Sequence, residues 1–452
     1  MKTTIKMLFR IPIVLMAILS PLHLSAQKVV ELSLEESIRY ALENNVDAKN
    51  AQLETLIAKA TVIERRSQGL PQINGNVDFT YNAAIPVVFF PNEGPFADPN
   101  SELDVVPLRF GVPLTSTVAV QATQMIFDGS YFVGLQAAKT YKMLTEYDRL
   151  KSEIDVKERV KKAYLSVLIN DQRRQLIEAN LNRLESLLTE TNALFEAGFV
   201  EKIDVSRIKV QRNNIKTELD KIIAATAISV ELLKIQIGLP SDHFIYLTQT
   251  LDELNDLTDI QSLMELEGSR RVELDQIRTN IDLVKLDLKN NTVQYIPRLS
   301  AFATYQRNAA AQQFGTLMEN ERWFTGAFIG GSLSIPIFDG LSKSARIQQN
   351  RVQIKQLENQ ERFIQDNIQL EKFQSRVNLK NSLAALEVQA ENMELAKEVF
   401  RMARIKYEEG VGSNLEVVEA DSALKEAETN YFTALYDALI AKVDLEKALG
   451  IL

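Results

Sequence analysis

Gln72-Ile73-Asn74-Gly75-Asn76-Val77-Asp78-Phe79-Thr80-Tyr81-Asn82 alternates without a slip: odd positions are apolar or glycine, even positions are polar. Period two with one wholly polar face is the signature of a strand that divides water from something apolar. A second such segment follows, with Val118, Val120, Ala122 and Ile126 opposite Thr117, Ala119, Gln121, Thr123 and Met125. Two more lie far downstream. Leu299, Ala301, Ala303 and Tyr305 alternate with Arg298, Ser300, Phe302, Thr304 and Gln306. Ala327, Ile329, Gly331, Leu333, Ile335 and Ile337 alternate with Phe328, Gly330, Ser332 and Ser334, so Phe302 and Phe328 interrupt the polar side. Trp323-Phe324, holding the only tryptophan, stands where an interfacial aromatic would. Each segment runs roughly 10–13 residues, against the ~9–11 that a tilted strand needs to cross a bilayer.

Between the strand pairs the pattern changes to that of long helices. Apart from Gly134, no glycine or proline interrupts Gly129 to about Ala197 or Gly340 to about Glu409. At ~1.5 Å per residue each would be roughly 100 Å long. Shorter helices are expected at Ser33–Gly69, Val200–Ile237, Ile260–Val293 and Ser413–Leu449, so that two of them, end to end, match one long helix. Leu379, Leu383, Leu386, Ala390, Met393, Ala396, Phe400, Ala403 and Tyr407 keep coiled-coil spacing. Narrow seams on such long helices cannot enclose a round core; they pack side by side as a wall or tube. Pro71 stops the first helix. The segment from Asn82 to Leu114 carries Pro86, Pro91, Pro95, Pro99, Pro107 and Pro113, half of the 12 prolines, and reads as loop.

The chain repeats itself once. Phe195-Glu196-Ala197-Gly198-Phe199 reappears as Tyr407-Glu408-Glu409-Gly410-Val411, Ile203-Asp204-Val205 as Leu415-Glu416-Val417, and Gly238-Leu239 as Gly450-Ile451. Ile126-Phe127-Asp128-Gly129 returns as Ile337-Phe338-Asp339-Gly340, and Leu70-Pro71-Gln72-Ile73 as Ile296-Pro297-Arg298-Leu299. The domain reading is therefore a leader at 1–26, a first repeat at 27–240, a linker at 241–259 and a second repeat at 260–452. Each repeat reads helix, two strands, long helix, helix. The leader rests on Lys2, Lys6 and Arg10, the apolar run Ile11 to Leu19, and the small exit Ser25-Ala26, the order of a secretory signal peptide. Its three positive and no acidic residues would take the formal charge from −9 to −12. An acidic exported chain is a poor nucleic-acid binder.

Composition removes most chemistry. The 452 residues include no cysteine, which excludes disulfides, thiolate metal sites and a cysteine nucleophile. The two histidines are His23, in the leader, and His243. Ser241, Asp242 and His243 share triad residue types, but three consecutive residues cannot make triad geometry. Asp128-Gly129 and Asp339-Gly340 read as strand-to-helix turns with the acid near the helix start. No catalytic residue and no cofactor is expected, and the chain is not read as an enzyme.

Four strands cannot close a barrel, and an open sheet edge in lipid leaves unpaired backbone groups costing several kcal/mol each. The strands must therefore be shared with sister copies in a barrel of ~8 or more strands. The fold class is mainly α with a minor β part: coiled-coil helices forming an oligomeric α-barrel tunnel, and four strands per chain given to a common transmembrane β-barrel. The alternative is a soluble periplasmic coiled-coil scaffold or adaptor, which leaves the strands without purpose.

This order of elements resembles the TolC-type outer-membrane efflux protein family over essentially the whole mature chain. The resemblance is carried by the two halves, by Leu34-Glu35-Glu36-Ser37-Ile38 and Ala41-Leu42-Glu43-Asn44-Asn45, by the Pro71 and Pro297 stops, by the two Ile-Phe-Asp-Gly turns, by the two glycine tips and by Leu449-Gly450. It implies a homotrimer in the outer membrane of a Gram-negative bacterium, with a large periplasmic extension. It also implies an exit duct serving an inner-membrane pump through a periplasmic adaptor, the membrane fusion protein. Carried over residue by residue, it places a gate at Glu416 and Glu419, with Asp204 in the first half. Arg207 stands at the second place there, and the family's arginine near the second tip falls on Gly412. Adaptor contact is implied for Gly198, Phe199, Val200, Gly410, Val411, Gly412 and Ser413.

Overall fold

The computed structural model describes residues 29–97, 99, 104–254 and 260–452. The signal-peptide expectation at 1–26 lies outside the described residues. Strand β1 (Val29–Leu32) is followed by helices α1 (Leu34–Asn44) and α2 (Val46–Ser67), then strands β2 (Gln72–Tyr81), β3 (Val87–Pro91), β4 (Val105–Arg109) and β5 (Leu114–Phe127). Helices α3 (Gly129–Glu196) and α4 (Lys202–Ile237) complete the first half. Strand β6 (Phe244–Leu247) and the short helices α5 (Leu251–Leu254) and α6 (Ile260–Glu265) lead to α7 (Val272–Val293), β7 (Arg298–Ala311), α8 (Phe314–Leu317) and β8 (Trp323–Ser334). The chain ends with α9 (Ser342–Glu408) and α10 (Asn414–Leu449). The 68 residues of α3 and 67 of α9 match the long helices expected from the unbroken sequence. Helices α2 and α4 pack along α3, and α7 and α10 along α9.

Every seam position expected on α9 is buried or half-buried, from Leu379 through Leu386 to Tyr407, while the intervening residues are mostly exposed. The largest core lies midway along α3, where Val156, Val160, Tyr164 and Leu168 meet Leu233 and Ile237 of α4 and Leu435 and Leu439 of α10. Tyr164 donates to the carbonyl of Leu32 at 3.2 Å, and its burial pushes the phenol up to about 12. Around this level, Lys162 and Lys447 bind Glu158 at 2.8 and 2.5 Å, and Lys447 also binds Asp155 at 2.9 Å. Burial alone would raise the Glu158 carboxyl, but the two ammonium groups more than offset it and hold it below its usual value.

The four long strands form one antiparallel sheet in the order β2-β5-β7-β8, with β2 and β8 at its edges. The register aligns the alternation across all four. One face carries Ile73, Val77, Phe79 and Tyr81, then Val118 and Val120, Ala303 and Tyr305, and Ala327 and Ile329. The other carries Gln72, Asn74, Asn76 and Asp78, then Thr117 and Gln121, Thr304, Gln306 and Asn308. Thr117 donates to Asn308 on this polar face at 3.0 Å. The apolar face is open, with Ile329 91% exposed and Val77 74%. At its outer end α8 folds onto the sheet: Trp323 donates to the carbonyl of Leu317 at 3.1 Å, and Phe314 meets Phe79 edge-on at 5.9 Å.

Five local expectations are corrected. The helix over 33–69 is two helices, because the Asn45 side chain accepts from Asp47 N–H at 2.8 Å as the cap of α2 and donates to the Gln236 carbonyl at 2.8 Å. The helix over 260–293 breaks between Glu265 and Val272, where Ser269 N–H donates to the Leu449 carbonyl at 2.7 Å and Arg271 to that of Ala448 at 3.0 Å. The proline-rich segment after Asn82 is not all loop: β3 and β4 pair as an antiparallel hairpin, with Phe89 opposite Pro107 and Pro91 opposite Val105. Two-stranded hairpins have outward edges where proline costs no ladder bond. The linker contributes β6, which pairs in parallel with β1. Finally, β8 stops at Ser334, short of Ile335 and Ile337.

Candidate functional site

The two helical hairpins, α3–α4 and α9–α10, end in turns built alike. In the first, Gly198 takes φ +80° and its N–H donates to the Phe195 carbonyl, while Phe199 N–H reaches the Leu194 carbonyl at 2.9 Å. In the second, Gly410 takes φ +74°, and Val411 and Gly412 N–H both donate to the Lys406 carbonyl, at 3.0 and 2.9 Å. A left-handed residue after the last helical turn satisfies otherwise orphaned carbonyls. The turn thrusts the next side chain outward, so Phe199 and Val411 are 79% and 80% exposed. Val200 is half-buried and Ser413 exposed. At Gly412 a Cβ would approach the Lys406 Cβ to 2.9 Å, so the arginine that the family resemblance expects here has no room without movement.

Just inside the tips the expected acids sit in equivalent cap positions. Ser413 caps α10, its hydroxyl accepting from Glu416 N–H at 3.2 Å. Asp204 accepts from Glu201 N–H at 3.2 Å in the capping box of α4. Acids here are stabilised by the helix N-terminus. Arg207 pairs with Asp204 of its own helix at 3.5 Å. Glu416 and Glu419 are both exposed and lie away from the buried side of α10, marked by Asn414, Val417 and Ala420. The structure thus sets Glu416 and Glu419 on one open face and gives Asp204 a local cation.

Behind the tips lies a polar cluster that the sequence reading did not single out. Asp421 of α10 is 1% exposed, and Arg183 of α3 reaches it with Nη2 at 2.7 Å and Nε at 2.8 Å. The same guanidinium lies over the Phe400 ring, 4.8 Å from its centroid. Two turns along α10, Glu428 accepts from Asn180 at 3.2 Å, and burial raises its carboxyl above the ordinary value despite Asn180, Arg183 and Lys397. Between α4 and α10, Gln211 donates to Ser422 at 2.9 Å and Lys425 pairs with Glu218. A cavity of about 340 Å³ opens beside Arg183 and Asp421, walled by Leu184, Leu187, Phe400 and Val417. The cluster therefore fastens the α9–α10 hairpin to the α3–α4 hairpin through polar contacts. Its signal was readable: Asp421 and Glu428 fall seven residues apart inside the apolar stripe of α10, formed by Val417, Ala420, Leu424 and Ala427.

Comparison with known proteins gives one direction. Residues 265–451 match the family model described as outer membrane efflux protein. The outer membrane protein TolC of Salmonella enteritidis is 20% identical over 447 residues, covering 93% of this chain and 82% of that protein. The alkaline protease secretion protein AprF of Pseudomonas aeruginosa is 22% identical over 350 residues, covering 75% and 69%. Among solved structures, CusC superposes with a TM-score of 0.71 at 16% identity over 93% of this chain and 92% of that one. The outer membrane protein VceC of Vibrio cholerae gives 0.68 at 14% identity over 92% and 96%.

Proposed function

We propose that this chain is a member of the TolC-type outer-membrane efflux protein family and the outer-membrane exit duct of a tripartite efflux or type I secretion system. It conducts substrates passively from the periplasm or a pump to the exterior. The observation that carries this reading is the sheet: four antiparallel strands, one open apolar face, one polar face and an edge strand on either side. In water such a sheet would expose a large apolar patch, and in lipid alone its edges would be unpaired. Sister copies resolve both problems. As a homotrimer, β8 of one copy pairs with β2 of the next, and twelve strands enclose an aqueous lumen lined by the polar face. The exposed apolar side chains of α9, among them Phe363, Phe373 and Leu395, supply surface for the same copies to close the helices into a tunnel. A soluble periplasmic scaffold would have no use for the open apolar face.

Within this duct the two repeats, 27–240 and 260–452, joined by a linker at 241–259, place equivalent tips at the periplasmic end. Glu416 and Glu419 form the gate, six carboxylates in a trimer, with Asp204 nearby and restrained by Arg207. Phe199, Val200 and Val411, with Gly198, Gly410, Gly412 and Ser413 shaping the turns, meet the periplasmic adaptor that links the duct to its inner-membrane pump. Exposure of Phe199 and Val411 supports that role.

The test is direct. The mature protein should fractionate with outer membrane, need detergent for extraction, run as an oligomer on gels without boiling, and carry ionic current across a planar bilayer. A water-soluble monomer without channel activity would end the proposal. For the tips, a photo-cross-linker at position 411 should capture an adaptor in cells; persistent failure at both 199 and 411 would remove the docking assignment.

A further inference from the structure

Aromatic rings enter the polar face of the sheet on its β7–β8 side, and in a regular way. Along β8 the residues on that face are Phe324, Gly326, Phe328, Gly330 and Ser332. Phenylalanine and glycine alternate, and Phe302 of β7 stands opposite Gly330. The missing side chains shape the rings. A Cβ on Gly330 would fall 2.7 Å from the Phe302 ring, and one on Gly326 would fall 3.3 Å from the Phe328 ring. The rings thus lie along the wall over the glycines instead of standing out from it. From the Phe302–Gly330 row to the Phe324 row is six residues, a stripe of about 20 Å.

Covering glycines in a sheet explains Phe302, which is half-buried. It leaves Phe328 53% and Phe324 71% exposed on a face made mostly of amides, hydroxyls and small residues. The charged groups of this face sit at opposite ends of the stripe. Among residues of this face in the four strands, the carboxylate is Asp78 and the cation is Arg298. Arg298 sits at the helical end, opposite Ser334, whereas Asp78 shares the Phe324 row through Thr117 and Asn308. Closing the barrel between β8 and β2 brings the aromatic strand of each copy beside the acidic strand of its neighbour. Flat, water-exposed π faces next to carboxylates attract organic cations, whose charge the ring quadrupole stabilises.

We infer that Phe302, Phe324 and Phe328, together with Asp78, form a lumenal binding stripe for aromatic organic cations in transit. This rests on the duct reading above and names a cargo class for it.

The experiment uses the full-length oligomer in a planar bilayer, with potassium chloride current as the baseline. Tetraphenylphosphonium should block that current at far lower concentration than tetramethylammonium. Tetraphenylborate, of the same shape and opposite charge, should block weakly. Replacing the rings together, Phe302→Ser with Phe324→Ser and Phe328→Ser, should raise the half-blocking concentration of tetraphenylphosphonium about tenfold, summed over several weak ring contacts. The single Phe328→Leu, which keeps apolar bulk and removes the π face, should raise it about threefold with the current intact. Asp78→Asn should weaken the phosphonium block and leave the borate unaffected. Unchanged block in Phe328→Leu and the triple variant, with current still flowing, would overturn the stripe and leave the duct standing. Absence of any current from the unaltered protein would overturn the duct, and the stripe with it.

Discussion

Arg183 and Asp421 form a 2.7 Å ion pair across the gap between α3 and α10, with the acid almost fully enclosed and the base partly so. The pair is a fastening whose halves are unequal. Removing Arg183 leaves an enclosed carboxylate without its cation, which in comparable buried pairs costs ~3–5 kcal/mol, with the lower end apt here because Arg183 retains some exposure. Replacing both with apolar residues removes the charge along with its partner. Arg183→Met should therefore lower the thermal transition of the detergent-solubilised oligomer more than Arg183→Met with Asp421→Leu. Equal losses would show that Asp421 gains nothing from Arg183.

Acidity should act on the neighbouring contact with a definite sign. The Glu428 carboxyl is raised by burial, so the folded hairpin holds a proton more firmly than the unfolded chain does. A raised acid contributes stability that is fully present below the unfolded value near 4.5 and is lost as pH rises through the folded value. Glu428→Gln should flatten that part of the pH–stability curve and raise stability at neutral pH. Glu158, held low by Lys162 and Lys447, works in the opposite sense: its contribution is present above 4.5 and lost as pH falls through its lowered value. A Glu428→Gln protein less stable than wild type at pH 7 would contradict the assignment.

Two glycines with similar backbone should respond differently to alanine. Gly198 and Gly238 take φ +80° and +76°, where an L side chain costs about 1–2 kcal/mol. Nothing lies within 4 Å of a Cβ at Gly198, whereas one at Gly238 would fall 2.5 Å from the Asn44 carbonyl oxygen. Gly238→Ala should thus exceed Gly198→Ala in destabilisation by chemical denaturation, because α4 must separate from the α1–α2 junction. Equal effects would mean that the junction is compliant.

The gate assignment yields a conductance prediction. Glu416→Gln with Glu419→Gln removes six charges from a trimeric mouth while keeping the hydrogen bond from Glu416 N–H to Ser413. Cation selectivity in a planar bilayer should fall and single-channel current should change. Identical reversal potentials in variant and parent would remove both acids from the ion path.

The strands were legible because each alternates on its own, and the long helices because nothing in 135–197 or 341–409 breaks them. The tips were legible as glycines recurring at a fixed offset. What escaped was decided by distant partners. Asn45 divides a helix because Gln236 waits 191 residues away. Strand β1 exists because β6 lies parallel to it, and four residues alone carry little pattern. The prolines of β3 and β4 masked a hairpin whose pairing depends on two segments meeting. At the site, the placement of Glu416 and Asp204 followed from helix starts that the sequence marks plainly. The Arg183–Asp421 fastening did not, because a charged residue inside an apolar stripe announces burial without naming the residue that answers it.

The sheet with two edge strands has a consequence for co-expression. The proposed ring, closed by pairing β8 of each copy to β2 of the next, has no tolerance for one defective link, since a copy whose β8 cannot pair leaves its neighbour's β2 without a mate. If half of the chains in a cell were so disabled and mixed at random, the proposed trimer would leave about one ring in eight with sound copies alone. Co-expressing a chain disabled at this edge would therefore depress assembly of the intact one beyond its own share of the pool.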